Sequence, residues 1–101
     1  MQHSDQTEDI RNTLYHLLDN LGPFSTLCPS SVARQMHKQD PVGYPDWRVL
    51  MDSVRDVVWD EVQRGHVEVT QGGTVRTWDE KEKIKGPIRV RKPMKTTQES
   101  G

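Results

Sequence analysis

A chain of 101 residues with a net charge of −1, 32% apolar and 29% charged side chains can build one modest core and no second domain. Its single cysteine excludes an internal disulfide, and no stretch approaches the length of a membrane span. Residues 1–5 have neither the basic start nor the apolar run of a secretory signal, so the cytoplasm or the nucleus is the expected compartment.

Residues 1–6 read as a flexible N-terminus, with the first helix starting between Asp5 and Thr7. Glu8 and Asp9 then lie in its first turn, where the helix dipole favours acids. Ile10, Leu14, Leu17, Leu18 and Leu21 form one apolar stripe at helical period. Gly22-Pro23 ends it, because glycine accepts a left-handed cap and proline cannot continue a helix. Residues 24–27, starting at Phe24, read as a short extended piece at a sheet edge. A second helix starts around Cys28 or Ser30, with Pro29 in the first turn, where its missing N–H costs nothing. Val32, Ala33 and Met36 are its buried side, and it ends near His37 or Lys38.

Pro41, Gly43 and Pro45 exclude a helix across residues 39–45. Asp46 is an N-cap for the third helix. On that helix Trp47, Leu50, Met51, Val54, Val58 and Val62 share one face, with Val57 beside it, and Gly65 is its terminating glycine. Strict alternation predicts a strand over 66–70, Gly72-Gly73 a turn, and 74–78 a returning strand. Residues 79–85 read as a charged loop. Ile88 and Val90 alternate with Arg89 and Arg91 as in a strand with one buried face. Residues 93–101 have nothing to bury and read as a disordered tail. The expectation is therefore an α+β domain over 7–92: a winged helix-turn-helix-like chain of three helices followed by a small antiparallel sheet with a wing at about 71–86.

Three signatures recur in fixed order: Cys28-Pro29-Ser30-Ser31-Val32-Ala33-Arg34; Trp47-Arg48-Val49-Leu50-Met51 with Ser53-Val54-Arg55; and Gly86-Pro87-Ile88-Arg89-Val90-Arg91. Together, from about Ile10 to Arg91, they resemble the domain of unknown function 3253 family. The resemblance implies a winged-helix-like fold and transfers no activity. The chain departs from the family at Trp59 and Asp60, where small apolar residues are more usual, and in the Lys- and Glu-rich loop 79–85.

Charge divides the chain. Residues 1–65 carry 6 Lys/Arg against 10 Asp/Glu, and residues 66–101 carry 8 against 5. Lys83, Lys85, Arg89, Arg91, Lys92 and Lys95 stand together with no acid among them. Lys83, Lys85, Arg89, Arg91 and Lys92, with Arg48 on the third helix, are the candidate nucleic-acid-binding residues, gripping backbone phosphates rather than reading bases. Arg76 and Trp78 offer a further groove or stacking contact. Alternatively, Glu80 and Glu82 pair with the lysines, and Trp78 only covers the hairpin. Asp52, Asp56 and Asp60 form an acidic ridge that opposes major-groove reading.

A rival reading is a protein-interaction module, or a homodimer, using Trp59, Trp78, Asp52 and Asp56. Arg34 and Arg55 read as structural, Arg34 against an acid or carbonyl of the third helix and Arg55 against the second. Cys28 has no neighbouring His or second Cys and reads as a small packing residue. His3, His16, His37 and His66 show no ligand spacing, so no metal is expected. No phosphate loop, nucleophile with a base, cofactor motif or small-molecule site is evident, and a non-enzymatic protein is the expectation.

Overall fold

The computed structural model describes residues 2–22 and 25–93. Pro23, Phe24, Lys95 and the tail beyond residue 93 lie outside the described residues. The first helix, α1 (Gln2–Asp19), begins ahead of the expected start. Residues 2–6 hold no proline or glycine to break a helix. Ile10, Leu14 and Leu18 are buried at a four-residue spacing, with Leu17 and Leu21 half-buried beside them. Leu27 exchanges both backbone hydrogen bonds with Val90, at 2.8 Å each, so the predicted edge piece exists as one paired residue.

Helix α2 (Pro29–Gln39) has Pro29 at its start and buries Val32, Ala33 and Met36, as the pattern predicts. Asp46 does act as a cap, accepting from the Arg48 N–H at 3.1 Å, but the segment it caps is a 3-10 turn over Trp47–Leu50. Helix α3 (Met51–Gln63) follows directly. Trp47 and Arg48 therefore ride on a tighter turn ahead of α3 rather than on its surface.

The end of α3 is a two-bond closure. The Gly65 N–H donates to the Val62 carbonyl at 3.0 Å and the His66 N–H to the Glu61 carbonyl at 2.9 Å, with Gly65 at φ +82°. A side chain at that φ is strained, so Gly65→Ala is expected to lower the unfolding free energy by about 1 kcal/mol in urea titrations.

The three strands are β1 (Glu68–Gln71), β2 (Thr74–Arg76) and β3 (Arg89–Arg91), antiparallel in the order β2-β1-β3. Gln71 pairs with Thr74, leaving Gly72-Gly73 as a two-residue turn with both φ positive, 59° and 84°. β1 starts later than predicted because His66 is spent on closing α3. β2 stops at Arg76 because Thr77 caps a second 3-10 turn, Trp78–Glu80, its N–H donating to Glu80 Oε1 at 2.9 Å. Part of the expected loop 79–85 is thereby folded: the N–H groups of Lys83 and Ile84 both donate to the Glu80 carbonyl. Ile88 and Val90 are buried and Arg89 is exposed, following the predicted alternation.

The three helices pack on one another, and α3 also packs against β1 and the 78–80 turn. No helix among the described residues is long and apolar enough to cross a membrane.

Candidate nucleic-acid interface

Trp47 is half-buried, and its ring lies between two guanidiniums, Arg34 at 4.6 Å and Arg48 at 4.8 Å from the ring centroid. Arg34 thus finds an indole face instead of the acid or carbonyl of α3 expected for it. Arg89, projecting from β3, is fixed over the start of α2. Its Nε donates to Thr26 Oγ1 at 2.9 Å, its Nη2 to the Thr26 carbonyl at 3.3 Å and its Nη1 to Cys28 Sγ at 3.2 Å.

Arg34 and Arg89 share an open groove of about 580 Å³ with Thr26, Cys28, Ser30 and Ser31. Cys28 caps α2 without a side-chain hydrogen bond; Pro29 has no N–H, and the Ser31 N–H donates to the Cys28 carbonyl at 2.9 Å. Arg34, Arg48 and Arg89 make no ion pair among the described residues.

The other predicted basic residues divide. Arg91 is paired, its Nη2 lying 2.9 Å from Glu68 Oε1 across the β1–β3 ladder. The register sets those two side chains opposite each other, so Arg91 is not the free cation that the alternation suggested. Lys83 and Lys85 are exposed on the loop before β3, and Lys92 is exposed just after it. Gln71 pins that loop by donating to the Lys85 carbonyl at 2.6 Å, and Arg55 does so by donating to the Gly86 carbonyl at 3.1 Å. Arg55 therefore ties α3 to the approach to β3 and not to α2.

Glu80 pairs with Arg76 at 3.4 Å rather than with a lysine, while Lys81 Nζ sits 5.1 Å over the half-buried Trp78 ring. The backbone N–H of Thr77 holds the Glu80 carboxyl below its ordinary range, with Arg76 adding to the effect.

The proposed tryptophan patch is corrected by burial. Trp59 is 5% exposed and belongs to the core. Asp52 and Asp56 are exposed on α3 and line an open groove in which the aromatic residue is the buried Trp59. Asp60 lies 3.3 Å from Arg64 and 3.6 Å from Arg11, so the ridge is neutralised at its far end.

Sequence reading missed a buried carboxylate. Glu61 is 1% exposed, and its Oε2 accepts from Arg11 Nε at 3.0 Å. Its Oε1 accepts from the Tyr15 hydroxyl and lies 2.8 Å from His66 Nδ1. Burial pushes the Glu61 carboxyl up, but hydrogen bonds from Tyr15, His66 and Arg11 outweigh it, and the net shift is downward. The same burial, with Glu61 beside it, pushes Tyr15 from 10.0 up to about 12. His66 is thus part of this network rather than an isolated surface residue. The network joins α1 to the end of α3. Among the described residues no group of three or more His, Cys, Asp or Glu is arranged to hold a metal ion.

Three helices followed by a three-stranded antiparallel sheet define an α+β domain. Residues 7–93 match the family described as Protein of unknown function (DUF3253), and the chain belongs to that family. No curated protein matches the chain.

Proposed function

We propose that this domain is a non-enzymatic module that binds the phosphate backbone of nucleic acid, largely independently of sequence. The observation that carries the reading is the trio Arg34, Arg48 and Arg89, three guanidiniums without an acidic partner among the described residues around the start of α2 and the Trp47 ring. A guanidinium presents paired donors to phosphate oxygens, and Ser30 and Ser31 line the same groove. The element order supports it as well. A strand residue between α1 and α2, then α3, a hairpin and a final strand is the order of a winged helix-turn-helix. Asp52 and Asp56 on the outer face of α3 disfavour base reading there, so contact falls on phosphates. Lys83, Lys85 and Lys92 add a general positive field. The protein-interface reading is left with a half-buried Trp78 and two exposed aspartates, and no observation favours it.

The test is a fluorescence anisotropy titration of the purified protein with short duplex DNA and RNA at several salt concentrations. Saturable binding that weakens as salt rises is expected. The Arg34→Ala/Arg89→Ala pair is expected to reduce the salt slope by about 2, and Arg91→Ala to change it little. Absence of binding at low salt, or an unchanged slope in the double variant, would overturn the proposal.

A further inference from the structure

The groove shared by Arg34 and Arg89 is not wholly polar. Leu17 on the last turn of α1, Leu21 two residues beyond its end, and Leu27 line it as well. Leu17 and Leu21 are only half-buried, so they leave carbon in contact with water. Among the described residues no aspartate or glutamate lines the groove. Its volume, about 580 Å³, falls in the range of small-molecule sites, roughly 300–1,000 Å³, and is far more than one phosphate fills.

The polar groups in it are placed before any ligand arrives. The three hydrogen bonds from Arg89 to Thr26 and Cys28 use three of its five N–H donors and leave one on each terminal nitrogen. A guanidinium already held loses little further freedom when it takes a phosphate. Arg34 is held in turn by the face of Trp47. Asn20, exposed just past the end of α1, donates from Nδ2 to the His16 carbonyl at 2.8 Å. That bond orients its amide and leaves an acceptor and a second N–H for a ligand. An asparagine amide matches the donor and acceptor edge of a nucleic-acid base.

A phosphate held by arginines alone has no use for the leucines, and a paired base hides its faces in the stack. An alkyl anion would cover the leucines but shut Asn20, Ser30 and Ser31 away from water without partners. An unpaired base carried on a phosphate meets both halves of the lining.

We propose that this groove takes a single unpaired nucleotide. Its phosphate lies on Arg34 and Arg89, and its base covers Leu17 and Leu21 with Asn20 at the base edge. The inference rests on the backbone-binding reading and narrows it: the preferred nucleic acid is a single strand or an overhanging end rather than a closed duplex. Carbon against a base face accepts any base, in keeping with binding largely independent of sequence. A free nucleoside monophosphate carries the same chemistry.

The experiment is a fluorescence anisotropy titration of the whole chain with a short single strand and with the blunt duplex of the same sequence, followed by competition with adenosine monophosphate, inorganic phosphate and octyl phosphate. The single strand is expected to bind about tenfold tighter than the duplex, and adenosine monophosphate to compete better than either other phosphate. Leu17→Ala and Asn20→Ala should each weaken the single strand several-fold with the salt slope unchanged, since neither contact releases a counterion. Asn20 is exposed, so its variant keeps the test open if Leu17→Ala fails to fold. Duplex bound as tightly as single strand, equal competition by octyl phosphate, or unchanged affinity in either variant would overturn the inference and leave the backbone reading standing. Binding of adenosine monophosphate without binding of either strand form would assign the groove to the free nucleotide and overturn the backbone reading alone. No binding of any of them at low salt would overturn both.

Discussion

Trp59→Ala is expected to unfold the domain or bring it close to unfolding. Truncating a buried tryptophan costs about 3–5 kcal/mol, out of the roughly 5–15 kcal/mol that holds a small domain together. Trp59 lies on α3 one residue after the fully buried Val58 and shares a groove with Lys81 and Glu82, just past the Trp78–Glu80 turn. Urea unfolding followed by circular dichroism should show a midpoint shifted far down or no folded baseline, with Trp59→Phe intermediate. A variant that keeps the natural midpoint would mean that Trp59 is a surface residue, as an interaction module would require.

Arg11→Ala should destabilise the chain by about 2 kcal/mol, because it leaves the buried Glu61 carboxylate without its guanidinium partner. The loss is smaller than for a fully enclosed pair, since Tyr15 and His66 still reach Oε1. Glu61 also carries a pH signature. Its carboxyl is shifted below the ordinary value of 4.5 by Tyr15, His66 and Arg11 against the upward pull of burial. A carboxyl lowered in the folded state contributes stability that is fully present above the unfolded value and is lost as pH falls through the folded one. Urea midpoints measured from pH 7 downward should therefore fall on the acid side of 4.5, and Glu61→Gln should flatten that limb. Tyr15 works at the opposite end. Its stabilising contribution holds below pH 10 and is lost as pH rises towards about 12. An Arg11→Ala midpoint equal to the natural one, with an unchanged acid limb in Glu61→Gln, would contradict the burial of this network.

Local pattern made much of the architecture readable. The spacing of Ile10, Leu14 and Leu18 fixes the inward face of α1, and Gly65 and Gly72-Gly73 mark breaks that only a left-handed backbone can make. The alternation at 88–91 orients β3 correctly. What was hidden depends on neighbours far away in sequence. Trp59 sits at the edge of a helical wheel, yet it is 5% exposed and belongs to the core, in a fold where the 78–80 turn packs back on α3. Arg91 looks free until the register places Glu68 opposite it. Trp47 reads as core by period, yet the 3-10 turn that carries it brings it out to two arginines. The Glu61 network did leave a trace: Glu61 follows Val54 and Val58 at seven and three residues, so the inward stripe of α3 contains a carboxylate. Arg11 and Tyr15 are one turn apart beside the apolar stripe of α1, which is where its partners had to be sought.

The pairing of Leu27 with Val90 also orders events in time. The backbone groups of residue 27, near the first quarter of the chain, find their partners only in the last strand. As the chain leaves the ribosome, all three helices emerge before anything can close that end of the sheet, and one edge of β1 stays open as well. Completion of the domain therefore waits on residues 88–91, and a chain interrupted before Ile88 carries two unpaired strand edges of the kind that seed association with other chains.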